Sequence, residues 1–261
     1  MKTKIMGILN INFDSFFEGS RTTINEAERK IIQMINDGAD MIDIGALSSR
    51  PGSEMISEED ELKRVRGVLD IVKKNRFYEK TLFSLDSYSP LTLDYALNCG
   101  FKIINDITGL ANDDVCLTAK KHNATVCIMH MKGEPKNMQA NPEYSDVVKE
   151  VGDFFQERID KAKSFGINDI ILDVGIGFGK GLQHNIELIK CHRDFLHFGY
   201  PLLIGASRKS MIDKIIPCEV KDRLPATLII HAEAVRNGAS IVRCHDVKEH
   251  LQALRVFEAI K

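Results

Sequence analysis

Two chemically distinct sets of polar side chains stand directly behind short apolar runs in this sequence. Asp86, Asn105 and Asp173 form the first set. Carboxylates and an amide together offer acceptors and donors, the combination that a flat, nitrogen-rich ring with amide and amine edges requires. Arg50, Lys209, Arg243 and His245 form the second set. Their positive charge and directional N–H groups suit a monophosphate or diphosphate. Asn10 closes the first apolar run, with Asn12 and Asp14 close behind it. A magnesium ion held mostly by diphosphate oxygens and water would need only one protein oxygen, such as that of Asn10. Taken singly, each Asn or Asp reads as a helix cap, and Arg50 or Arg243 as half of a surface ion pair. Capping does not explain all of them converging on one place.

Convergence depends on the elements that carry these residues. Short β-rich runs at 4–9, 41–44, 82–85, 102–104, 124–129, 170–172, 202–204 and 241–242 alternate with amphipathic stretches such as 25–36, 58–73 and 146–165. This is the pattern of eight βα units around a parallel sheet. Glycine-containing helix ends precede several strands: Asp37-Gly38-Ala39-Asp40, Asn98-Cys99-Gly100, Ser164-Phe165-Gly166 and Asn237-Gly238-Ala239. With 261 residues and no break in composition, the chain is expected to form one (β/α)8 barrel domain spanning 1–261. An open doubly wound sheet would show the same alternation, but the length and the unit count favour the barrel. In a barrel the carboxyl ends of the strands share one mouth. There the chain presents Asn10, the stretch Ser48-Ser49-Arg50-Pro51-Gly52, Asp86, Asn105-Asp106, His130, Asp173, Ser207-Arg208-Lys209 and Arg243-Cys244-His245-Asp246.

Composition narrows the function classes. With 44% apolar and 28% charged residues the chain has material for a large core, and a formal charge of −2 gives no field to steer nucleic acid or an anionic membrane. Neither is expected as a partner. Cys99, Cys116, Cys127, Cys191, Cys218 and Cys244 are scattered and read as small core residues. No run of about 18 apolar residues and no cleavable signal pattern is visible, so a cytoplasmic location is expected. His192 and His197 are five apart, a poor spacing for one helix face, and no zinc site is expected. The stretch Gly175-Ile176-Gly177-Phe178-Gly179-Lys180-Gly181 is not a nucleotide loop: Gly181 stands where a Walker loop needs Ser or Thr, and Lys180 where the dinucleotide fingerprint needs glycine. Phe178 either covers an aromatic substrate or anchors its own loop.

Taken together, these stretches resemble the dihydropteroate synthase family over nearly the whole chain. The resemblance rests on Gly7-Ile8-Leu9-Asn10 with Asp14-Ser15-Phe16, Ser49-Arg50-Pro51-Gly52, Ser84-Leu85-Asp86-Ser87-Tyr88 and Ile104-Asn105-Asp106. It continues through Met129-His130-Met131 with Gly133, Pro135 and Met138-Gln139, then Asp173 through Lys180 with His184-Asn185, Gly205-Ala206-Ser207-Arg208-Lys209-Ser210, and Arg243 with His245-Asp246-Val247.

The resemblance implies a barrel that condenses a dihydropterin diphosphate with p-aminobenzoate. By position it implies that Asn10 meets magnesium and diphosphate, and that Asp86, Asn105, Asp173 and Lys209 hold the pterin. Arg243 and His245 would bind the departing diphosphate, with Ser49 and Arg50 on a loop closing over it. Phe178, Lys209 and Ser210 would shape the p-aminobenzoate site. A homodimer through outer helices is likewise implied. Asp173→Ala is therefore expected to lose pterin binding, and Arg243→Ala to keep it while losing turnover. The chain departs from the family pattern at Asn12-Phe13 (commonly Thr-Pro), at Ala46-Leu47-Ser48-Ser49 (commonly Gly-Glu-Ser-Thr) and at Val174 (commonly Pro). The first two departures place expected differences in loop closure, p-aminobenzoate affinity and sulfonamide response. Two rivals share the pterin pocket: a methyltetrahydrofolate-dependent methyltransferase and a catalytically silent pterin-binding paralogue. The methyltransferase has no use for the phosphate-binding set Arg50, Lys209, Arg243 and His245.

Overall fold

Alternation along each strand decides which side chains fill the centre of the sheet and which meet the helices. The computed structural model describes residues 2–11, 21–45, 57–133, 138 and 142–260, with the backbone alone for 21–23. Eight parallel strands close into a barrel in sequence order. They are β1 (Lys4–Asn10), β2 (Met41–Gly45), β3 (Leu82–Asp86), β4 (Ile103–Asp106), β5 (Thr125–Met129), β6 (Ile170–Asp173), β7 (Leu202–Ile204) and β8 (Ile241–Cys244). Closure is made by β8 against β1, with Lys4 opposite Ile241 and Met6 opposite Arg243.

Around the sheet lie α1 (Arg21–Asn36), α2 (Glu58–Lys74), α3 (Pro90–Asn98), α4 (Asp113–His122), α5 (Val147–Ser164), α6 (Leu182–Lys190), α7 (Ser210–Ile215), α8 (Leu224–Arg236) and α9 (Val247–Ile260). Their starts follow from local chemistry. The side chains of Ser57, Ser89, Asn112 and Asp146 each accept a hydrogen bond from a backbone N–H in the first turn of the helix they precede. The glycine turns expected beneath the strands are present: Gly38, Gly100, Gly166 and Gly238 have φ of 92°, 100°, 75° and 99°. Two expectations shift. β7 is followed by both α7 and α8 rather than by one helix, and several strands run one or two residues further than the apolar runs, taking in Asn10, Asp86, Asn105, Asp173 and Arg243. Ladder pairing tolerates polar side chains wherever they face a shared polar interior.

The core divides in two. Ile5, Ile42, Ile44, Leu85, Ile104 and Val126 belong to the large cluster shared by sheet and helices, whereas Met6, Met41, Ile103, Cys127, Ile171, Leu203 and Ile241 form a separate plug at the barrel centre. Two residues beyond the plug, on the same inward parity, come Asp43, Asn105, Met129, Asp173, Gly205 and Arg243, with Asn10 and Asp86 on that parity in β1 and β3. The plug is thus the floor of a polar mouth. Of the six cysteines, Cys99, Cys116, Cys127 and Cys244 are buried while Cys191 and Cys218 are partly exposed, which corrects the reading of all six as core. Among the described residues no helix is long and apolar enough to cross a membrane.

Candidate active site

The inward layer above the plug is an acid–base cluster. Arg243 donates through Nε to Asp43 Oδ2 at 2.7 Å, and its Nη2 lies 2.6 Å from the same oxygen and 3.0 Å from Asp86 Oδ2. Asn105 Nδ2 adds a third donor to Asp43 Oδ2 at 3.0 Å. Burial drives the Asp86 carboxyl up to about 7 against the pull of Arg243, with Asp43, Asp106 and Glu61 adding like charge. Burial opposes the Arg243 charge too, but Asp43 and Asp86 hold its pKa above the ordinary value. Asp43 Oδ1 is buried with no hydrogen-bond partner among the described residues, so the cluster keeps an acceptor to spare. The sequence expectation divided labour between Asp86 on the ring and Arg243 on the phosphates; the contacts tie the two together.

Asp173 and Lys209 form the facing wall. The Asp173 carboxylate accepts from Gly175 N at 2.8 Å, and burial raises its pKa against the pull of Lys209. Lys209 is pushed down to about 8 by burial, with Asp173 opposing that shift. Its ammonium donates to Ile176 O and sits 4.5 Å from the centroid of the Phe178 ring. Phe178 and Lys209 are therefore one surface. Gly205, between them and Arg243, has no side chain, and a Cβ there would stand 3.7 Å from Asp173 Oδ2 and 3.9 Å from the Arg243 side chain.

Lys180 builds the loop that carries Phe178. Its side chain is 1% exposed, and Nζ lies 2.9 Å from His130 Nδ1, 3.1 Å from His130 O, 3.0 Å from Gly175 O and 3.0 Å from Phe178 O. Burial pushes its pKa well down while Asp173 pulls the other way. Carbonyl oxygens can only accept, so three of them require three N–H bonds, which only the ammonium form carries. The close approach also dictates glycine: at Gly175 (φ 66°) and Gly179 (φ 60°) a Cβ would meet the carbonyl oxygens of His130 and Lys132 at 1.9 and 2.0 Å. His130 is held neutral, its pKa pushed down to about 2 by burial and by Lys180 and Lys132. It supports the loop. Asp106 is likewise committed, accepting from Thr108 N, Thr108 Oγ1 and Leu110 N at 2.7, 2.7 and 2.9 Å. Both polar exits are committed to their own loops.

The β7 and β8 exits lie side by side. Ser207 Oγ and His245 Nδ1 are 2.9 Å apart, and Arg208 grips Asp246 through Nε at 3.0 Å and Nη2 at 2.5 Å. His245 and Asn10 both line a cavity of about 410 Å³ with Lys30 and Lys248. Ser210 is exposed at the start of α7. The structure thus brings Asp86, Asn105, Asp173, Lys209 and Arg243 into one mouth, with Phe178, Asn10 and His245 on its rim. Ser49 and Arg50, with Asn12-Phe13 and Ala46-Leu47, lie outside the described residues.

Sequence reasoning missed Asp43, Lys180 and Glu61. Asp43 carried a signal, an acid inside the apolar run Met41-Ile42-Asp43-Ile44 at inward parity. Glu61 reaches from α2 to accept from Ser87 Oγ at 2.5 Å, behind Asp86, and burial raises its pKa to about 7. A carboxyl with a raised folded-state pKa binds its proton more tightly when folded, so its ionisation costs stability as pH climbs from the ordinary carboxyl range through 7. Glu61→Gln keeps an acceptor for Ser87 and is expected to raise the melting temperature at pH 8 by about 2–4 °C, and by much less near pH 4. Equal shifts in melts at the two pH values would contradict the buried charge.

Comparison with known proteins bears on what such a mouth does. Residues 6–245 match the family described as pterin binding enzyme. The chain is 41% identical over 258 residues to the dihydropteroate synthase of Escherichia coli K12, covering 98% of this chain and 90% of that protein. It is also 41% identical to the bifunctional dihydropteroate synthase/dihydropteroate reductase of Helicobacter pylori, covering 99% of this chain and 68% of the relative. Among solved structures, the Yersinia pestis dihydropteroate synthase in a sulfonamide drug complex superposes with a TM-score of 0.91 at 37% identity, covering 99% of this chain and 94% of that one. The Xanthomonas albilineans dihydropteroate synthase in complex with 7,8-dihydropteroate superposes at 0.85 with 29% identity, covering 99% and 93%.

Proposed function

The chain belongs to the pterin binding enzyme family, and we propose that it carries out the reaction of a dihydropteroate synthase, a transferase of folate biosynthesis. It joins 6-hydroxymethyl-7,8-dihydropterin diphosphate to p-aminobenzoate, giving 7,8-dihydropteroate and pyrophosphate. The observation that carries this reading is the inward layer itself, where acids, an amide and two cations meet above an apolar floor with a rim histidine beside them.

The chemistry follows from charge. The bond between the pterin methylene and the diphosphate oxygen breaks first, its electron pair leaving with the diphosphate. The aniline nitrogen then donates its lone pair to the methylene carbon and loses a proton to water or to the released diphosphate. Asp86, Asn105, Asp173 and Lys209 would hold the ring edges, and the buried carboxylates would stabilise positive charge spreading into the ring. Arg243 and His245, with Ser49 and Arg50 from the β2 loop, would take the leaving diphosphate, while Phe178, Lys209 and Ser210 would line the p-aminobenzoate site. No nucleophilic side chain is required.

Among the described residues no group of three or more His, Cys, Asp or Glu gathers for a metal. Asn10 fits a site with one protein oxygen: it is exposed at the end of β1, with its Oδ1 beside Gly45, where a Cβ would come within 2.9 Å of it. A magnesium ion there would neutralise charge on the departing diphosphate. A homodimer is also proposed, supported by exposed Ile215, Ile216 and Val220 around α7 and Ile229 on α8. Sedimentation velocity checks it, and a monomer at micromolar concentration would sink it. A cytoplasmic location and binding of sulfonamides as p-aminobenzoate analogues belong to the same reading.

The deciding experiment is pyrophosphate release by purified protein with the pterin diphosphate and magnesium, with and without p-aminobenzoate. Release coupled to dihydropteroate supports the reading, and pterin binding without release would contradict it. A pH profile adds a second check. Lys209 carries its positive charge only as an ammonium, so with its pKa pushed down to about 8 the rate is expected to fall on an alkaline limb near that pH. Asp173→Asn removes the carboxylate that holds this pKa up, and should move the limb of any residual activity to lower pH. An unmoved limb would assign it to another group.

A further inference from the structure

Beneath the β7 and β8 exits lie two histidines that the proposed reaction does not use. His231 on α8 and His250 on α9 are both fully buried. Ala206 N donates to His231 Nε2 at 3.0 Å, His231 Nδ1 lies 2.9 Å from His250 Nε2, and His250 Nδ1 lies 2.7 Å from Asp246 O. A backbone N–H can only donate, so His231 Nε2 is bare and its Nδ1 carries the proton. A carbonyl oxygen can only accept, so His250 Nδ1 carries a proton. The shared contact then requires His250 Nε2 to be bare. All four nitrogens are assigned from the two ends, both rings are neutral, and both are Nδ1–H tautomers.

This chain of bonds satisfies Ala206 N, gives Asp246 O a second donor beside the His250 N–H that it accepts at 3.1 Å, and so joins one strand exit to the other. Ala206 precedes Ser207, Arg208 and Lys209; Asp246 follows His245. The same seam is braced above by Ser207 against His245 and by Arg208 against Asp246, and on its flank by Arg208 N donating to Thr227 Oγ1 of α8 at 3.1 Å. An extra proton on either ring would point two donors at each other across 2.9 or 3.0 Å. Burial pushes both pKa values down, with Lys209 and His245 adding to this at His231, and Asp246 and Glu249 opposing it at His250.

We propose that His231 and His250 are positioning residues: a neutral imidazole relay that sets the separation between the exit carrying Lys209 and the exit carrying His245. If the dihydropteroate synthase reading holds, on which this role rests, that separation is the one between the pterin and its leaving diphosphate. The relay acts through the loops and touches no substrate.

Long-range proton–nitrogen correlation spectra of ¹⁵N-histidine-labelled wild-type protein test the geometry without reference to activity. Both rings are expected as Nδ1–H tautomers at pH 7, and an Nε2–H tautomer or an imidazolium at either overturns the relay. Kinetics test its purpose. His231→Leu is expected to lower kcat about tenfold with each KM within about twofold, because small misplacements of reacting groups act on the transition state. His231→Gln, whose amide offers an acceptor oxygen and a donor NH2 group, is expected to recover most of that loss. A Leu variant with wild-type kcat, or a Gln variant as impaired as a folded Leu variant, overturns the role. If the Leu variant does not fold, the Gln variant decides: near-wild-type kcat supports the role and a tenfold loss overturns it. Wild-type protein with both Nδ1–H tautomers and no turnover would instead sink the dihydropteroate synthase reading.

Discussion

Arg243→Ala is expected to lower turnover by about 10²–10³-fold and to weaken pterin binding with it. The guanidinium is clamped between Asp43 and Asp86 at 2.6–3.0 Å. Truncation leaves two buried carboxylates facing one another, a loss typically of about 3–5 kcal/mol for a broken buried pair. Asp86, already raised to about 7 with Arg243 beside it, would rise further and be protonated at neutral pH. It could then no longer present two acceptor oxygens to the ring. The sign of the pH dependence follows: the folded variant takes up protons that the unfolded chain does not, so its stability deficit should shrink between pH 8 and pH 5. Adding Asp43→Asn removes one of the stranded charges and should restore part of the stability without restoring turnover. Calorimetry with the pterin substrate and melts at the two pH values check this. Unchanged pterin affinity would return Arg243 to the phosphates alone, as first expected from the sequence.

Lys180→Met is expected to cost a comparable amount of stability. The substitution keeps an unbranched chain but leaves the carbonyl oxygens of His130, Gly175 and Phe178 without their donor. Each buried acceptor left unpaired costs about 1–3 kcal/mol, and even with partial relaxation the sum should reach about 4 kcal/mol. The damage should be directional as well. The 175–179 loop would lose its anchor to the β5 exit, and with it the placement of Phe178 and the Ile176 carbonyl that receives Lys209. The KM for p-aminobenzoate should therefore rise more than that for the pterin in whatever fraction folds. Denaturant melts within 1 kcal/mol of wild type would show that the ammonium does not hold the loop.

The barrel was legible because its cause is local. Eight apolar runs of strand length, each followed by a helical period and several preceded by a glycine-ended turn, describe repeated βα units, and a mouth at the strand exits follows from that topology. Asp86, Asn105, Asp173 and Arg243 were recoverable for the same reason: each ends or follows an apolar run, so its position was marked along the chain before its neighbours were known. His130 and Asp106 carried the same mark and turned out to be support, since a strand exit does not reveal whether a side chain turns to the mouth or to its own loop.

Pairing was a different matter. Arg243 and Asp86 are 157 residues apart, and Arg243 and Asp43 are 200 apart. Only closure of β8 on β1 brings those side chains onto one inward layer. Burial, too, belongs to the closed barrel: the same desolvation that raises Asp86 and Glu61 to about 7 lowers Lys209 to about 8, and no spacing in the chain encodes it. His231 and His250 stand 19 residues apart, and no spacing in the chain links them. Packing of α8 against α9 below the β7 and β8 exits is what makes them one relay. The order of elements and the chemistry on offer are written residue by residue, because periodicity and side-chain type are local properties. Which charge meets which, and in what protonation state, is set by the closed fold, because distance and dielectric exist only once the chain has folded.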